Sequence, residues 1–107
     1  MSEVEKVKSL NPIEESLKTE ILNLAKSFIN EYENYTALDY TKLIESVDIL
    51  AKKLLDSNQY SKSYKVTHSK IHLNQSIFLR SIPDHGKNIE EECSLHILDF
   101  IEEIETI

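Results

Sequence analysis

The chain has 107 residues, with one Gly, two Pro and one Cys; 40% of its residues are hydrophobic and 29% charged. That length suits a single domain with one core. The scarcity of Gly and Pro argues against the many turns of an all-β fold, and the lone Cys93 excludes an internal disulfide. The net charge of −7, with Arg80 as the sole arginine beside eleven lysines, is the opposite of the basic footprint of a nucleic-acid binder.

No apolar run approaches the roughly 20 residues that span a bilayer. The opening stretch "MSEVEKVKSLNPIEES" has no apolar h-region of the secretory type. A single thiol fits a reducing compartment. The expectation is a cytoplasmic protein with no membrane and no nucleic-acid partner.

Residues 1–10 are charged and without period, and read as a flexible N-terminal segment ahead of one domain over 11–107. "NPIEES" then reads as a helix start. Asn11 suits the cap, Pro12 the first helical position, and Glu14 and Glu15 the positive end of the dipole. Leu17, Ile21, Leu24, Phe28, Tyr32 and Tyr35 follow at spacings of three and four, which predicts a helix over about 12–34.

"TALD" is a second start, with Thr36 as cap and Asp39 at the capping-box position. Leu43, Val47, Leu50 and Leu54 form one stripe, widened by Ile44, Ala51 and Leu55 into a core-facing band. This predicts a helix over about 37–56, ended by "DSNQ".

In the third segment Tyr64, His68, Ile71, Gln75, Phe78 and Ile82 recur at four, three, four, three, four. That period predicts a helix over about 61–81 with Tyr64, Ile71, Phe78 and Ile82 at the centre of its core face. "YKVTHSKIHLN" also alternates and carries β-branched Val66, Thr67 and Ile71, so a strand is the second reading. "IPDHGK" is the clearest turn in the chain. "NIEE" opens a last helix, about 89–105, with Asn88 as cap and Ile89, Cys93, Ile97, Phe100, Ile101 and Ile104 on its apolar side. Four amphipathic segments with short connections imply an all-α, antiparallel four-helix bundle.

Charge is uneven along the chain. Residues 89–107 hold Glu90, Glu91, Glu92, Asp99, Glu102, Glu103 and Glu105 and no Lys or Arg, whereas 57–88 hold Lys62, Lys65, Lys70, Arg80 and Lys87 against Asp84. Neighbouring third and fourth helices then partly neutralise one another, each exposed pair adding about 0.2–1 kcal/mol. The alternative is that Glu91, Glu92, Asp99, Glu102 and Glu103 present an acidic docking face to a basic partner. Tyr32, Tyr35 and Tyr40 cluster around the first turn. An up-down bundle places them beside Pro83 and His85, as either an aromatic contact patch or end packing.

His68 and His72 stand one helical turn apart, as do Cys93 and His96 nearly so, and together they make a tetrahedral set of the zinc type. Against that, the spacing is weak outside a recognised motif, and Cys93 sits where a small buried hydrophobe belongs. On the predicted face His68 borders the core and His72 the solvent. A histidine phosphotransfer module would want a small residue one turn after its histidine, where His72 stands. No His has Glu three residues before it, as a di-iron bundle requires. One Gly furnishes neither a phosphate loop nor a dinucleotide fingerprint. The expectation is therefore a small acidic, non-enzymatic protein, without cofactor, that binds a partner protein as an inhibitor, immunity or regulatory subunit does. The alternatives are a metal- or ligand-binding bundle using His68, His72, Cys93 and His96, and a homo-oligomeric structural subunit, such as a homodimer, joined through an apolar band.

Overall fold

The computed structural model describes residues 10–81 and 89–107. The expected flexible segment, but for Leu10, falls outside this range, as do Ile82, Pro83, His85 and the Asn88 cap. Among the described residues there are four α-helices and no strand: α1 (Pro12–Asn30), α2 (Ala37–Asp56), α3 (Tyr60–Ser81) and α4 (Ile89–Glu105). The all-α bundle expected from the apolar period is present, and the strand alternative for 61–81 is not. Each helix packs on two others, α1 on α2 and α4, and α3 on α2 and α4. Leu10 packs against the core edge.

α1 starts as its sequence dictates. Asn11 accepts from the Glu14 amide at 2.8 Å and Glu14 answers to the Asn11 amide at 3.0 Å, a reciprocal capping box. The helix stops at Asn30, four residues short of the expected 34, and Tyr32–Asn34 form one 3₁₀ turn instead. The tighter turn leads the chain directly into the α2 start. There Asp39 accepts from the Thr36 amide at 2.8 Å and from its hydroxyl at 3.2 Å.

The α2 end is a left-handed cap. Asn58 takes φ 64°, the Gln59 amide reaches back to the Leu54 carbonyl at 2.8 Å, and the Asn58 amide to Leu55 at 2.9 Å. Asn is the non-glycine residue that tolerates this conformation best, so a chain with one Gly still turns sharply here. Glu14 locks the same end of the bundle. Its buried carboxylate accepts from the Ser57 hydroxyl at 2.8 Å and the Gln59 amide nitrogen at 3.1 Å. The α1 cap thereby holds the α2–α3 turn.

The core is built from Ile21, Ala25 and Phe28 of α1, Tyr40, Leu43, Val47, Leu50, Ala51 and Leu54 of α2, and Ile97, Phe100, Ile101 and Ile104 of α4, with Val66 and Leu73 the buried contribution of α3. For α1, α2 and α4 the apolar period points inward as read, although Leu55 lies on the exposed side.

α3 does not follow. Its inward positions are Ser63, Val66, Ser69, Leu73 and Ser76. Tyr64 is 72% exposed and Phe78 65%, and Tyr60 and Ile71 also face solvent. The face expected to centre on Tyr64, Ile71 and Phe78 is the outer one. The reason lies in the serines. Ser63 donates to the Ala51 carbonyl of α2 at 2.8 Å, Ser76 to the Cys93 carbonyl of α4 at 3.1 Å, and Ser69 to Val66 at 2.6 Å within its own helix. With their hydroxyls satisfied, three small side chains allow α3 to lie close between two neighbours, where tyrosine and phenylalanine would hold it off.

Candidate functional site

The rotation of α3 creates the most distinctive surface of the molecule. Tyr60, Tyr64, Ile71 and Phe78 form an apolar line along a helix segment of about 27 Å. Beside it runs the flank of α4. Two hollows lie between the helices. The first is bordered by Tyr60, Tyr64, Lys65, His68, Glu102 and Glu103, the second by Ile71, Gln75, Phe78, Leu79, Glu92 and His96. One wall is aromatic and aliphatic and the other acidic. Leu95 and Leu98 on α4 are also exposed.

Glu103 borders the first hollow and His96 the second, with His72 beside Glu103 and Asp99 close to His72 and His96. Glu103 Oε2 lies 3.0 Å from His72 Nε2, and its Oε1 lies 3.5 Å from His68 Nδ1. Burial alone would raise the Glu103 pKa, but hydrogen bonds from His72 and His68 reverse the sign and hold it below 4.5. His72 is the more enclosed ring, with 17% of its side chain exposed against 52% for His68. That order is the reverse of the expected one, because the helix presents its opposite face. The His68 ring lies 6.1 Å from that of Tyr64.

His72, His96 and Asp99 each place one ligating atom within 4.8 Å of the others. Of the four expected ligands the structure thus brings two together. His68 sits a turn away against Glu103. Cys93 is buried on the core side, where its carbonyl receives Ser76 and the Tyr32 hydroxyl lies 3.9 Å from its sulfur. Burial pushes the Cys93 thiol pKa up, which disfavours the thiolate that metals and electrophiles require. The carboxylate that replaces it, Asp99, is three residues from His96 and hence on the same side of α4. A sequence search for H-x-x-D would have found that pair, but nothing local ties it to His72.

The acidic residues divide between two surfaces. Glu92, Asp99, Glu102 and Glu103 flank α3, whereas Glu91 borders a separate depression with Ile29, Glu90 and Ser94. Where Lys–Glu pairs are expected between α3 and α4, Glu103 has His72 and His68 as its partners. Lys70 instead pairs with Asp48 of α2 at 2.6 Å.

The tyrosines at the first turn are engaged internally. Tyr40 is fully buried and stacks on Phe28 at 4.5 Å, and Tyr35 meets Phe28 at the same distance. The Arg80 guanidinium lies 3.8 Å from the centre of the Tyr32 ring and donates to the Tyr32 carbonyl. Burial pushes the Tyr32 phenol up to about 12 and the Tyr40 phenol in the same direction. This cluster is bundle-end packing with a cation clamped into it, so Tyr40 presents no contact surface and Tyr32 and Tyr35 present little. The exposed tyrosines are Tyr60 and Tyr64, at the other end of α3's outer line.

No helix among the described residues is long and apolar enough to cross a membrane. Comparisons of the chain with protein-family models, with curated proteins and with solved structures give no match.

Proposed function

We propose that this protein is a non-enzymatic binding module that takes a basic, amphipathic helix of a partner protein into the groove between α3 and α4. The observation that carries this reading is the solvent-facing line of Tyr60, Tyr64, Ile71 and Phe78 beside the acidic flank of α4. Four large apolar side chains aligned on one helix are an unusual thing to leave in water, and aromatic residues are the type enriched where proteins meet. Such a line can serve as the receiving half of helix-in-groove recognition, in which the partner helix supplies the apolar anchors. Glu92, Asp99 and Glu102 would meet Lys or Arg on the flank of the incoming helix and steer its approach, helped by a net charge of −7. A second copy of this chain brings the same acidic flank with it, which disfavours self-pairing over a basic partner. An inhibitor, immunity or regulatory subunit acts by such a contact.

The test uses a designed helix of about 20 residues, one face Leu and the other Lys, which spans about 30 Å. Fluorescence anisotropy of this probe should show saturable binding that weakens as salt rises. Phe78→Asp and Tyr64→Asp should abolish it, and Glu102→Lys should weaken it, with helicity unchanged by circular dichroism. Binding that is indifferent to all three variants overturns the proposal. So does light scattering that shows a dimer of the native chain and a monomer of the Phe78→Asp chain, for the line is then covered by a second copy.

A further inference from the structure

We infer that His72, His96 and Asp99 form a binding site for a divalent transition-metal ion of the zinc class, clamping α3 to α4 at the waist of the groove. The inference does not depend on what occupies the groove. It rests on the convergence of two imidazoles and a carboxylate from two helices, with their ligating atoms within 4.8 Å of one another.

Two nitrogen donors and one oxygen donor are the set that suits zinc, whereas magnesium and calcium call for oxygen throughout. Zinc holds nitrogen and carboxylate oxygen near 2.0–2.2 Å, so neighbouring donors in a tetrahedral shell stand about 3.3–3.5 Å apart. The separations here exceed that by about 1.4 Å at most, which side-chain torsions close without moving either helix. Asp99 is exposed and His96 partly so, which leaves that adjustment free on the α4 side. His72 is the fixed point. It is mostly enclosed, and Glu103 at 3.0 Å holds its ring. A carboxylate on one ring nitrogen supports a metal bound at the other, so with Glu103 on Nε2 it is Nδ1 of His72 that takes the ion. Three protein donors leave a fourth position open toward the groove, where water or a ligand atom completes the shell. The surrounding field is favourable, since Glu92, Glu102 and Glu103 add negative charge close by.

The site differs from the set that spacing alone suggests. Cys93 and His68 take no part in it, the first because it is buried on the core side, the second because its ring lies beside Tyr64 and Glu103 Oε1 and is not among the converging donors. That difference makes the inference separable from a thiolate site.

The experiment is a titration of the chelator-stripped native chain with Co²⁺ alone, followed by displacement with Zn²⁺. One Co²⁺ should bind with the visible absorption of a four-coordinate nitrogen and oxygen site, and Zn²⁺ should remove that signal and raise the melting temperature. His96→Ala and Asp99→Asn, both at solvent-accessible positions, should abolish the signal while circular dichroism stays unchanged. Glu103→Gln should weaken affinity about 10–100-fold, as loss of a supporting carboxylate does. Cys93→Ser and His68→Ala should bind as the native chain does. The inference is overturned by an absence of saturable Co²⁺ binding. Binding that survives His96→Ala, or a thiolate-to-cobalt band that vanishes in Cys93→Ser, overturns it equally.

Discussion

α2 and α3 are neighbouring helices of similar length, and each carries one stripe of large apolar residues at helical spacing. In α2 the stripe of Leu43, Val47, Leu50 and Leu54 is wholly buried. In α3 the stripe of Tyr60, Tyr64, Ile71 and Phe78 faces water, while Ser63, Ser69 and Ser76 lie inside with Val66 and Leu73. Periodicity locates a stripe but does not say which neighbour covers it. A helix set between two others is held by the side chains that let it approach both, and serine does this well when its hydroxyl finds a carbonyl. The large residues of α3 are then left over as a surface, and that surface is where function is most economically sought.

The comparison has measurable consequences. Leu50→Ala in α2 should destabilise the fold by about 2–5 kcal/mol in urea unfolding, the usual range for a buried leucine. The matching change on the outer line of α3, Phe78→Ala, should stay within about 0.5 kcal/mol. If the two values came out alike, α3 would be turned as its apolar period suggests and the groove would not exist. Filling the inner face should hurt where emptying the outer one does not: Ser76→Leu overpacks the α3–α4 contact and should cost about 1–3 kcal/mol.

A smaller effect concerns the polar ties at the ends of these helices. Glu14→Ala removes the acceptor shared by Ser57, Gln59 and the Asn11 amide, and should cost about 1–3 kcal/mol in the same assay. Acid should act similarly. Burial raises the Glu14 pKa, but its hydrogen bonds from Asn11, Ser57 and Gln59 and the nearby Lys62 charge outweigh that and lower it below 4.5. Glu103 is lowered for the reasons given above. A carboxyl lowered by folding contributes stability above its unfolded value and loses it as pH falls through the folded one. The melting temperature should therefore hold down to about pH 4.5 and fall below it. Glu103→Gln and Glu14→Ala should each make that fall shallower, which separates the two ends of the bundle.

The cap at Asn58 gives another modest effect. Asn58→Gly should be neutral or slightly stabilising, whereas Asn58→Val, β-branched at positive φ, should cost about 1–2 kcal/mol. Since this turn aims α3 back along α2, a large effect of the glycine variant would mean that the Asn side chain holds the turn as well as its backbone.

Much of the fold is legible in the order of residues because the signals are local. Asn11, Pro12 and Glu14 announce the α1 start, and Thr36 with Asp39 the α2 start. The main apolar stripes of α1, α2 and α4 point inward, although Ile49 and Leu55 of α2 and Leu95 and Leu98 of α4 lie among the Glu, Lys and Asp of the outer faces. Two features resisted. The α1 end lies four residues before the one its spacing predicts, because Tyr32 and Tyr35 keep the helical spacing through a turn that tightens to 3₁₀. Glu14 was read as a dipole partner, and nothing near it in sequence shows that Ser57 and Gln59 bury it.

The candidate sites were legible only in part, for a related reason. His72 and His96 are candidate ligands from the sequence, and H-x-x-D offers Asp99 beside His96, but nothing local ties that pair to His72. Asp99 looks like any other acid on an acidic helix until α3 lies against it. Sequence by itself determined that this chain forms helices, roughly where each begins and ends, and that three of them turn a leucine- and isoleucine-rich side inward, because dihedral preference, capping and hydrophobic period act within a few residues. Only the tertiary structure decided which face of α3 meets its neighbours. That choice depends on how closely three helices can approach, a property of side-chain volume summed across chain segments far apart in sequence, and it set both the groove and the cluster of His72, His96 and Asp99.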